Sequence, residues 1–366
     1  MPGKQPLKAV IAMSGGVDSS VAAALMLEQG FECAGITLRL FKGESVAGIT
    51  GAANTVGACS SLRDINDAKA IALGLGIPHD ILDLTEEFND KVIRRFVEIY
   101  GCGGTPNPCV DCNRNIKFNL ELFRKIYPDF DCYATGHYAR VEKDPVSGRF
   151  LLRKAVDEKK DQSYVLYSLT RDRLERTRFP LGDLTKQEVR KIAEGMGLAN
   201  SAKGESQDIC FVPDGDYGNF IETYTGKTWP PGDITDLDGK PLGRHRGIIR
   251  YTIGQRRGLG VAANTPLYVA GISAEANTVT LGPDSSLYSK SLTAKDINLI
   301  ACARIDRPLR VTVKTRYLQA EQPAVAEQTG ENELYIEFET PQRAITPGQA
   351  AVMYDGDIVV GGGTIV

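Results

Sequence analysis

The sequence predicts an α/β fold over roughly its first 200 residues and antiparallel β structure over the remainder. Three observations predict it. Short apolar runs alternate with segments of helical spacing in the first part. Beyond Cys210, Gly, Pro and Asp-Gly turns punctuate short alternating runs. The 366 residues are also long for a single core, which suggests two or three domains.

The elements follow in order. Lys8–Ala12 reads as a buried strand, and Val21–Gln29 as a helix closed by Gly30. Phe31–Leu38 is the next strand. Ser60 or Ser61 caps a helix whose apolar positions Leu62, Ile65, Ala68, Ile71 and Leu75 keep helical spacing. Ile77–Leu84 is a third strand, and Phe88, Val92, Phe96 and Ile99 mark a helix ended by Gly101. The segment from Asn115 to Ile126 reads as helix, and Asp131–Thr135 as strand. Thr185-Lys186-Gln187-Glu188 has the form of a capping box, with its helix running through Val189 and Ile192 to Gly197. Strands alternating with helices imply parallel pairing and right-handed crossovers, hence a doubly wound, Rossmann-like sheet. Later, Asp238-Gly239 and Asp355-Gly356 separate runs such as Val311-Thr312-Val313-Lys314 and Leu334-Tyr335-Ile336-Glu337-Phe338. They predict a small middle domain and a C-terminal antiparallel β-barrel, divided as residues 1–208, 209–280 and 281–366.

Composition narrows the class. A content of 42% hydrophobic and 24% charged residues is ordinary for a soluble globular protein. No apolar run approaches the ~20 residues needed to cross a bilayer, and the start lacks the apolar core of a signal peptide. The expectation is a cytoplasmic protein whose eight cysteines are thiols, ligands or catalytic groups. The net charge of -3 hides two basic stretches. One runs from Pro241 to Ala270 with five arginines and no acid; the other, Arg304–Arg316, sets five cations against Asp306. Either suits a phosphate backbone or a solvated face.

Ser14-Gly15-Gly16-Val17-Asp18-Ser19-Ser20 lies between a strand and a helix. Glycines allow close approach to a ligand, and the helix N-terminus with its successive N–H groups attracts phosphate. Serine hydroxyls add donors; Asp18 organises the turn or an accompanying Mg²⁺. The Gly-Lys-Ser/Thr ending of a Walker A loop and the G-x-G-x-x-G dinucleotide fingerprint are both absent. An ordinary capped turn would explain two glycines, but not the whole string. It resembles the PP-loop of N-type ATP pyrophosphatases, which implies cleavage of ATP between its α- and β-phosphates.

Cys109-Val110-Asp111-Cys112 follows Thr105-Pro106-Asn107-Pro108, with Arg114 and Lys117 close behind. A cysteine near a helix start and beside cations is expected to be a reactive thiolate. Cys210 lies far off in Ser206-Gln207-Asp208-Ile209-Cys210-Phe211. Cys33, Cys59, Cys102, Cys132 and Cys302 carry no motif and read mostly as small hydrophobes. Only three histidines and a single C-x-x-C argue against a structural zinc site.

The ordered strings Ser14–Ser20, Thr105–Pro108 with Cys112–Phe118, Ala134-Thr135-Gly136-His137-Tyr138, Lys160-Asp161-Gln162-Ser163-Tyr164 and Ile209-Cys210-Phe211 resemble the tRNA-specific 2-thiouridylase family. Gly254–Gly260, Val313–Tyr317 and Thr346–Gln349 extend the resemblance through nearly the whole chain. It implies ATP-dependent replacement of O2 by sulfur at the wobble uridine of tRNA. By resemblance Cys210 carries a persulfide and Cys112 is the nucleophile, leaving a Cys112–Cys210 disulfide. Nucleotide contacts carry over to Ala12, Met13, Ser14, Gly15, Gly16, Val17, Asp18, Ser19, Leu38 and Gly136. Base and tRNA contacts carry over to Asn107, Pro108, Cys109, His137, Lys160, Asp161, Gln162, Arg316, Tyr317 and Gln349. Without the resemblance, Leu38 reads as a core strand residue, His137 as a loop histidine, Lys160-Asp161-Gln162 as a solvated turn, and Arg316 and Tyr317 as alternating barrel residues.

One departure stands out, since many family members have an acid where this chain has Cys109. Cys109, Cys112 and Cys210 then resemble the three-thiolate set of related thiolases that hold a [4Fe–4S] cluster. That version takes inorganic sulfide, whereas the persulfide version takes sulfur from a cysteine desulfurase or a sulfur-relay protein. Two other classes stay open on the residues alone. One is a PP-loop synthetase acting on a small metabolite; the other is an RNA- or metal-binding module with a vestigial loop.

Overall fold

The computed structural model describes residues 6–41, 62–198 and 209–366. Cys59, Ser60, Ser61 and Ser206-Gln207-Asp208 lie outside the described residues, as does the 208/209 division. The chain folds as two compact units, and the division does not follow chain order. The first comprises Met1–Lys91, Cys109–Pro213 and Asp357–Val359; the second comprises Val92–Pro108, Asp214–Gly356 and Val360–Val366.

The first unit is built on strands β1 (Lys8–Ala12), β2 (Glu32–Arg39), β3 (His79–Asp83), β4 (Cys132–Ala134), β5 (Arg140–Lys143), β6 (Phe150–Arg153) and β7 (Thr177–Arg178). Five of them form a parallel sheet in the order β3-β2-β1-β4-β7. Side chains alternate across it. Ala9, Ile11, Cys132 and Ala134 face a cluster with Ala23 and Met26 of helix Val17–Glu28 and Ala68, Ile71 and Ala72 of helix Leu62–Gly74. Tyr133, between Cys132 and Ala134, instead meets Phe123 and Phe118 at ring distances of 4.6 and 5.7 Å. Helical segments therefore cover both faces, as a parallel sheet requires.

Helix Val17–Glu28 starts four residues earlier than its apolar spacing predicts, and Gly30 follows it at φ 85 as expected. The predicted helix from Asn115 is displaced. Helix begins at Pro108, runs through Cys112 and continues as a π turn over Asn113–Lys117. It breaks at Asn119 (φ -81, ψ 82) before Leu120–Arg124. The capping box is present in both directions at Thr185 and Glu188, opening helix Lys186–Gly195. The β5–β6 hairpin had no signal in the sequence pattern. Asp357 accepts from Arg140 Nη2 (2.8 Å) and Arg153 Nη1 (2.7 Å), and β6 pairs with Ile358.

The second unit holds helix Arg94–Gly101, which the helical spacing of Phe88–Ile99 places with the N-terminal sheet. Phe96 of this helix packs on Tyr217 and Phe220 of helix Tyr217–Thr225, at ring distances of 6.0 and 6.2 Å. A four-stranded sheet runs β10 (Tyr268–Ser273), β11 (Thr278–Gly282), β8 (Gly232–Thr235), β9 (Pro241–His245). It is mixed rather than purely antiparallel, because β11 pairs parallel with β8. The long connection after β9 supplies the crossover that a parallel pair needs.

Strands β12 (Tyr288–Leu299), β13 (Leu309–Lys314), β14 (Gln322–Gly330), β15 (Glu333–Arg343), β16 (Ala350–Asp355) and β17 (Ile358–Ile365) form the predicted barrel. Its order β12-β15-β14-β13-β16-β17 closes by pairing of β17 with β12. The predicted alternation holds: Val311, Val313, Leu334, Ile336 and Phe338 fill the interior. At the closing seam Gly361 has φ 153, and a Cβ there would lie 2.4 Å from Asn298 O. Only glycine lets the two backbones approach so closely.

Candidate nucleotide loop and thiol site

The parallel sheet reverses its winding between β1 and β4, and ligands of such sheets bind beyond the carboxyl ends of the strands at that point. The loop Ser14–Ser20 follows β1, and Gly136-His137 follows β4. A Cβ on Gly136 would stand 2.7 Å from Ser19 N and 2.7 Å from the Asp18 carbonyl carbon, so glycine is required where the two loops meet. Gly15 has φ 71, and its Cβ would strike Asp64 O at 2.2 Å. Both conditions confine the loop to one path.

Hydrogen bonds complete that path. Ser14 N donates to Ser19 Oγ (3.1 Å), which itself donates to Gly16 O (3.0 Å). Ser20 is fully buried and donates to the same carbonyl at 2.9 Å, so its hydroxyl serves the loop rather than a ligand. Ser14 is exposed. Before the loop, Met13 N donates to Ile36 O (2.9 Å), and Thr37 Oγ1 donates to Met13 O (2.7 Å). With its proton so used, Thr37 Oγ1 accepts from His79 Nε2 at 2.8 Å. Burial lowers the His79 pKa, consistent with a neutral ring. Leu38, one residue on, is half-buried on β2, while Ala12 and Val17 flank the loop at the strand end and helix start.

The Asp18 side chain ties the loop to later segments of the chain. Its carboxylate receives Lys186 Nζ at 2.7 and 2.8 Å and Tyr138 Oη at 2.8 Å. In this arrangement it organises the loop, paired with an ammonium. Sequence reasoning missed Lys186, whose only visible signal was its place in the capping box. Its backbone N donates to Asp157 Oδ2 (2.9 Å). Tyr138 N donates to Gln162 Oε1, and Gln162 N returns a bond to Tyr138 O, both at 2.9 Å. Segments of the chain up to 168 residues apart are thus stitched together.

The proposed RNA-facing residues divide. Asp161 is buried at 8% exposure and accepts from Ala155 N (3.0 Å), Ser163 N (3.2 Å) and Ser163 Oγ (2.7 Å). Its carboxylate builds the loop, while Lys160 and Gln162 on either side are half-buried. His137 Nδ1 is 2.8 Å from Thr135 Oγ1, under Phe118. Burial, then the Lys117 ammonium, pushes its pKa down to about 3, so the ring is neutral at physiological pH.

In the second unit, two distant strings meet. Gln349 Nε2 donates to Thr105 O (2.9 Å) and Pro106 O (3.1 Å), and Thr105 N donates to Pro347 O (2.8 Å). Gly348, at φ 90, has no room for a side chain beside Thr105 and Ile99. The stretch leading to Asn107 and Pro108 is therefore held rigidly. Arg316 Nη2 donates to Ala344 O (2.7 Å) and Thr346 Oγ1 (3.0 Å), so this guanidinium ties two loops. Tyr317 and Leu318 next to it are exposed, at 36% and 91%.

Cys109 and Cys112 are the second and fifth residues of helix Pro108–Cys112. Cys109 is exposed and Cys112 is buried at 7%. Burial first, and Cys112 second, push the Tyr133 phenol pKa upward. Tyr133 Oη is buried with no hydrogen-bond partner among the described residues. Cys210 is half-buried in a turn that Phe211 anchors against Phe88, ring centroids 5.8 Å apart. Among the described residues no group of three or more His, Cys, Asp or Glu side chains is placed to hold a metal ion. No described helix is long and apolar enough to cross a membrane.

A five-stranded parallel sheet with a glycine loop at its switch point, and a thiol pair on a helix of the same unit, defines a phosphate-loop α/β nucleotide enzyme. Comparison with known proteins narrows this class. Residues 7–214 match the family described as tRNA methyl transferase HUP domain. Residues 218–283 match its PRC-barrel domain, and 289–365 an aminomethyltransferase beta-barrel domain. Over 98% of each chain, it is 46% identical to the tRNA-specific 2-thiouridylase MnmA of Clostridioides difficile (strain 630). The protein of that name from Acetivibrio thermocellus is also 46% identical, over 98% of this chain and 99% of its own. A relative from Caldanaerobacter subterraneus is 47% identical over 98% and 97%. The chain belongs to the tRNA-specific 2-thiouridylase family.

Proposed function

We propose that this protein uses ATP to replace O2 of the wobble uridine of tRNA with sulfur. The observation that carries the reading is one unit holding both a phosphate loop locked by Gly136 and a helix-borne cysteine pair, in a chain of this family. Uridine O2 is a poor leaving group. Its attack on the α-phosphate of ATP makes an adenylated oxygen and releases pyrophosphate. The loop's N–H groups and helix N-terminus bind that pyrophosphate, and Ser14 offers an exposed hydroxyl. With Asp18 paired to Lys186, Mg²⁺ would arrive on the ATP phosphates rather than in a protein cage.

Sulfur enters from a persulfide on Cys210. Its terminal sulfur bonds to C2 as AMP leaves. The Cys112 thiolate then attacks Cys210 Sγ; the S–S bond breaks, its electron pair stays on the sulfur attached to C2, and a Cys112–Cys210 disulfide forms. A cysteine desulfurase or relay protein supplies the persulfide. Asn107, Pro108, His137, Lys160, Gln162 and Tyr317 contact the tRNA, with Asp161, Arg316 and Gln349 holding the loops that present them. The segments 1–208, 209–280 and 281–366 serve as catalytic, central and barrel parts, working in the cytoplasm.

Cys112→Ala and Cys210→Ala should each abolish thiolation in vitro while ATP binding survives. Normal turnover in either would sink the reading. Iron content measured on the same anaerobic preparation separates the routes: four irons per active chain would favour sulfide on a cluster of Cys109, Cys112 and Cys210.

A further inference from the structure

We propose that Cys109 is a resolving cysteine, which reopens the Cys112–Cys210 disulfide that each thiolation leaves behind. The proposal rests on the persulfide reading given above and extends it to the step that restores the enzyme.

Two observations carry it. Cys109 and Cys112 stand three residues apart at the start of one helix, as its second and fifth residues. Residues so spaced lie on the same face, about 5–6 Å apart between Cβ atoms. A disulfide needs about 3.5–4.5 Å, so the turn must tighten slightly. On the Cys109 side this costs little, because N–H groups of the first turn have no carbonyl partners inside the helix. The second observation is the difference in exposure: Cys109 is exposed and Cys112 is buried at 7%. A dithiol reductant in solution reaches the outer sulfur and not the inner one. A disulfide between Cys112 and the half-buried Cys210 is poorly placed for direct reduction. One between Cys109 and Cys112 presents a sulfur to solvent.

The chemistry balances. The Cys109 thiolate attacks Cys112 Sγ, a Cys109–Cys112 bond forms, and the Cys112–Cys210 bond breaks. Cys210 leaves as a thiolate, takes up a proton and is ready for another persulfide. The two oxidising equivalents stay in the protein until an external dithiol removes them, becoming a disulfide itself. A carboxylate, which the family resemblance leads one to expect at position 109, has no such chemistry.

The test uses the full-length enzyme, loaded with persulfide and given tRNA and ATP without reductant. After one turnover the thiols are alkylated and the disulfides mapped by mass spectrometry. Wild type should hold a Cys109–Cys112 disulfide with Cys210 alkylated, and Cys109→Ser should stall with Cys112 joined to Cys210. With a protein dithiol as reductant, steady-state thiolation by Cys109→Ser should fall at least about tenfold relative to wild type. A small phosphine reductant should restore much of it. A wild-type enzyme that retains Cys112–Cys210 with Cys109 alkylated would overturn the proposal. So would a Cys109→Ser enzyme that cycles on the dithiol at the wild-type rate. Thiouridine made with no disulfide in either enzyme would strike down the persulfide reading, and this proposal with it.

Discussion

A single hydrogen atom at Gly136 decides whether the phosphate loop can take its path. Any Cβ there meets the Asp18–Ser19 peptide at 2.7 Å, and the obstacle is backbone rather than a flexible side chain. Gly136→Ala should therefore weaken ATP binding by about tenfold or more, close to 1.4 kcal/mol, as read by nucleotide titration. Unchanged affinity would mean that this contact does not shape the loop. His137, the neighbouring residue, carries a pH signature. Its folded pKa near 3 lies below the ordinary histidine value, so between the two the unfolded chain binds a proton that the folded chain refuses. Its contribution to stability is full above about pH 6.5 and falls as pH drops through that value toward 3. His137→Asn should narrow the gap in unfolding midpoint between pH 7 and pH 5. An unaltered gap would contradict the burial argument. The loop was legible because the whole Ser-Gly-Gly-Val-Asp-Ser-Ser string between a strand and a helix has few explanations, whereas Gly136 came only with the family resemblance. Lys186 was not, since nothing local marks a lysine whose partner lies 168 residues away.

Among the elements, helix Lys186–Gly195 shows how local chemistry supports the site. Its capping box fixes the first turn, and that turn carries the ammonium that grips Asp18. Thr185→Ala should destabilise the protein by about 1 kcal/mol in denaturant unfolding and also weaken ATP binding, because Lys186 then frays. Lost stability with untouched nucleotide affinity would separate the cap from the loop. The box was readable in advance because its four residues make their own bonds. The helix carrying Cys109 and Cys112 was placed too late in the sequence. Pro108 begins it, as the missing proline N–H allows, but apolar periodicity becomes visible only further on. Helix Arg94–Gly101 shows a related limit of sequence pattern. Periodicity reports which face is apolar, and only the aromatic rings of Tyr217 and Phe220 say what covers it.

For the molecule as a whole, the alternation of strands and helices gave the parallel sheet, and the later two-residue alternation gave the barrel. Neither pattern revealed that Val92–Pro108 joins the second unit, or that Asp357–Val359 joins the first. Such exchanges depend on long-range bonds, those of Gln349 to Thr105 and Pro106 and of Asp357 to Arg140 and Arg153, which leave no mark on local composition. The same bonds hold Asn107 and the β5–β6 hairpin in place, so the architecture and the proposed activity share supports. The central claim is that ATP adenylates a tRNA oxygen which sulfur then replaces. Its most direct test is incubation of the purified protein with ATP, a persulfide donor and unmodified tRNA carrying a wobble uridine, followed by nucleoside mass spectrometry and AMP quantification. The account predicts 2-thiouridine at that position and one AMP released for each sulfur gained. AMP release without tRNA, or tRNA recovered unthiolated while ATP is consumed, would contradict it.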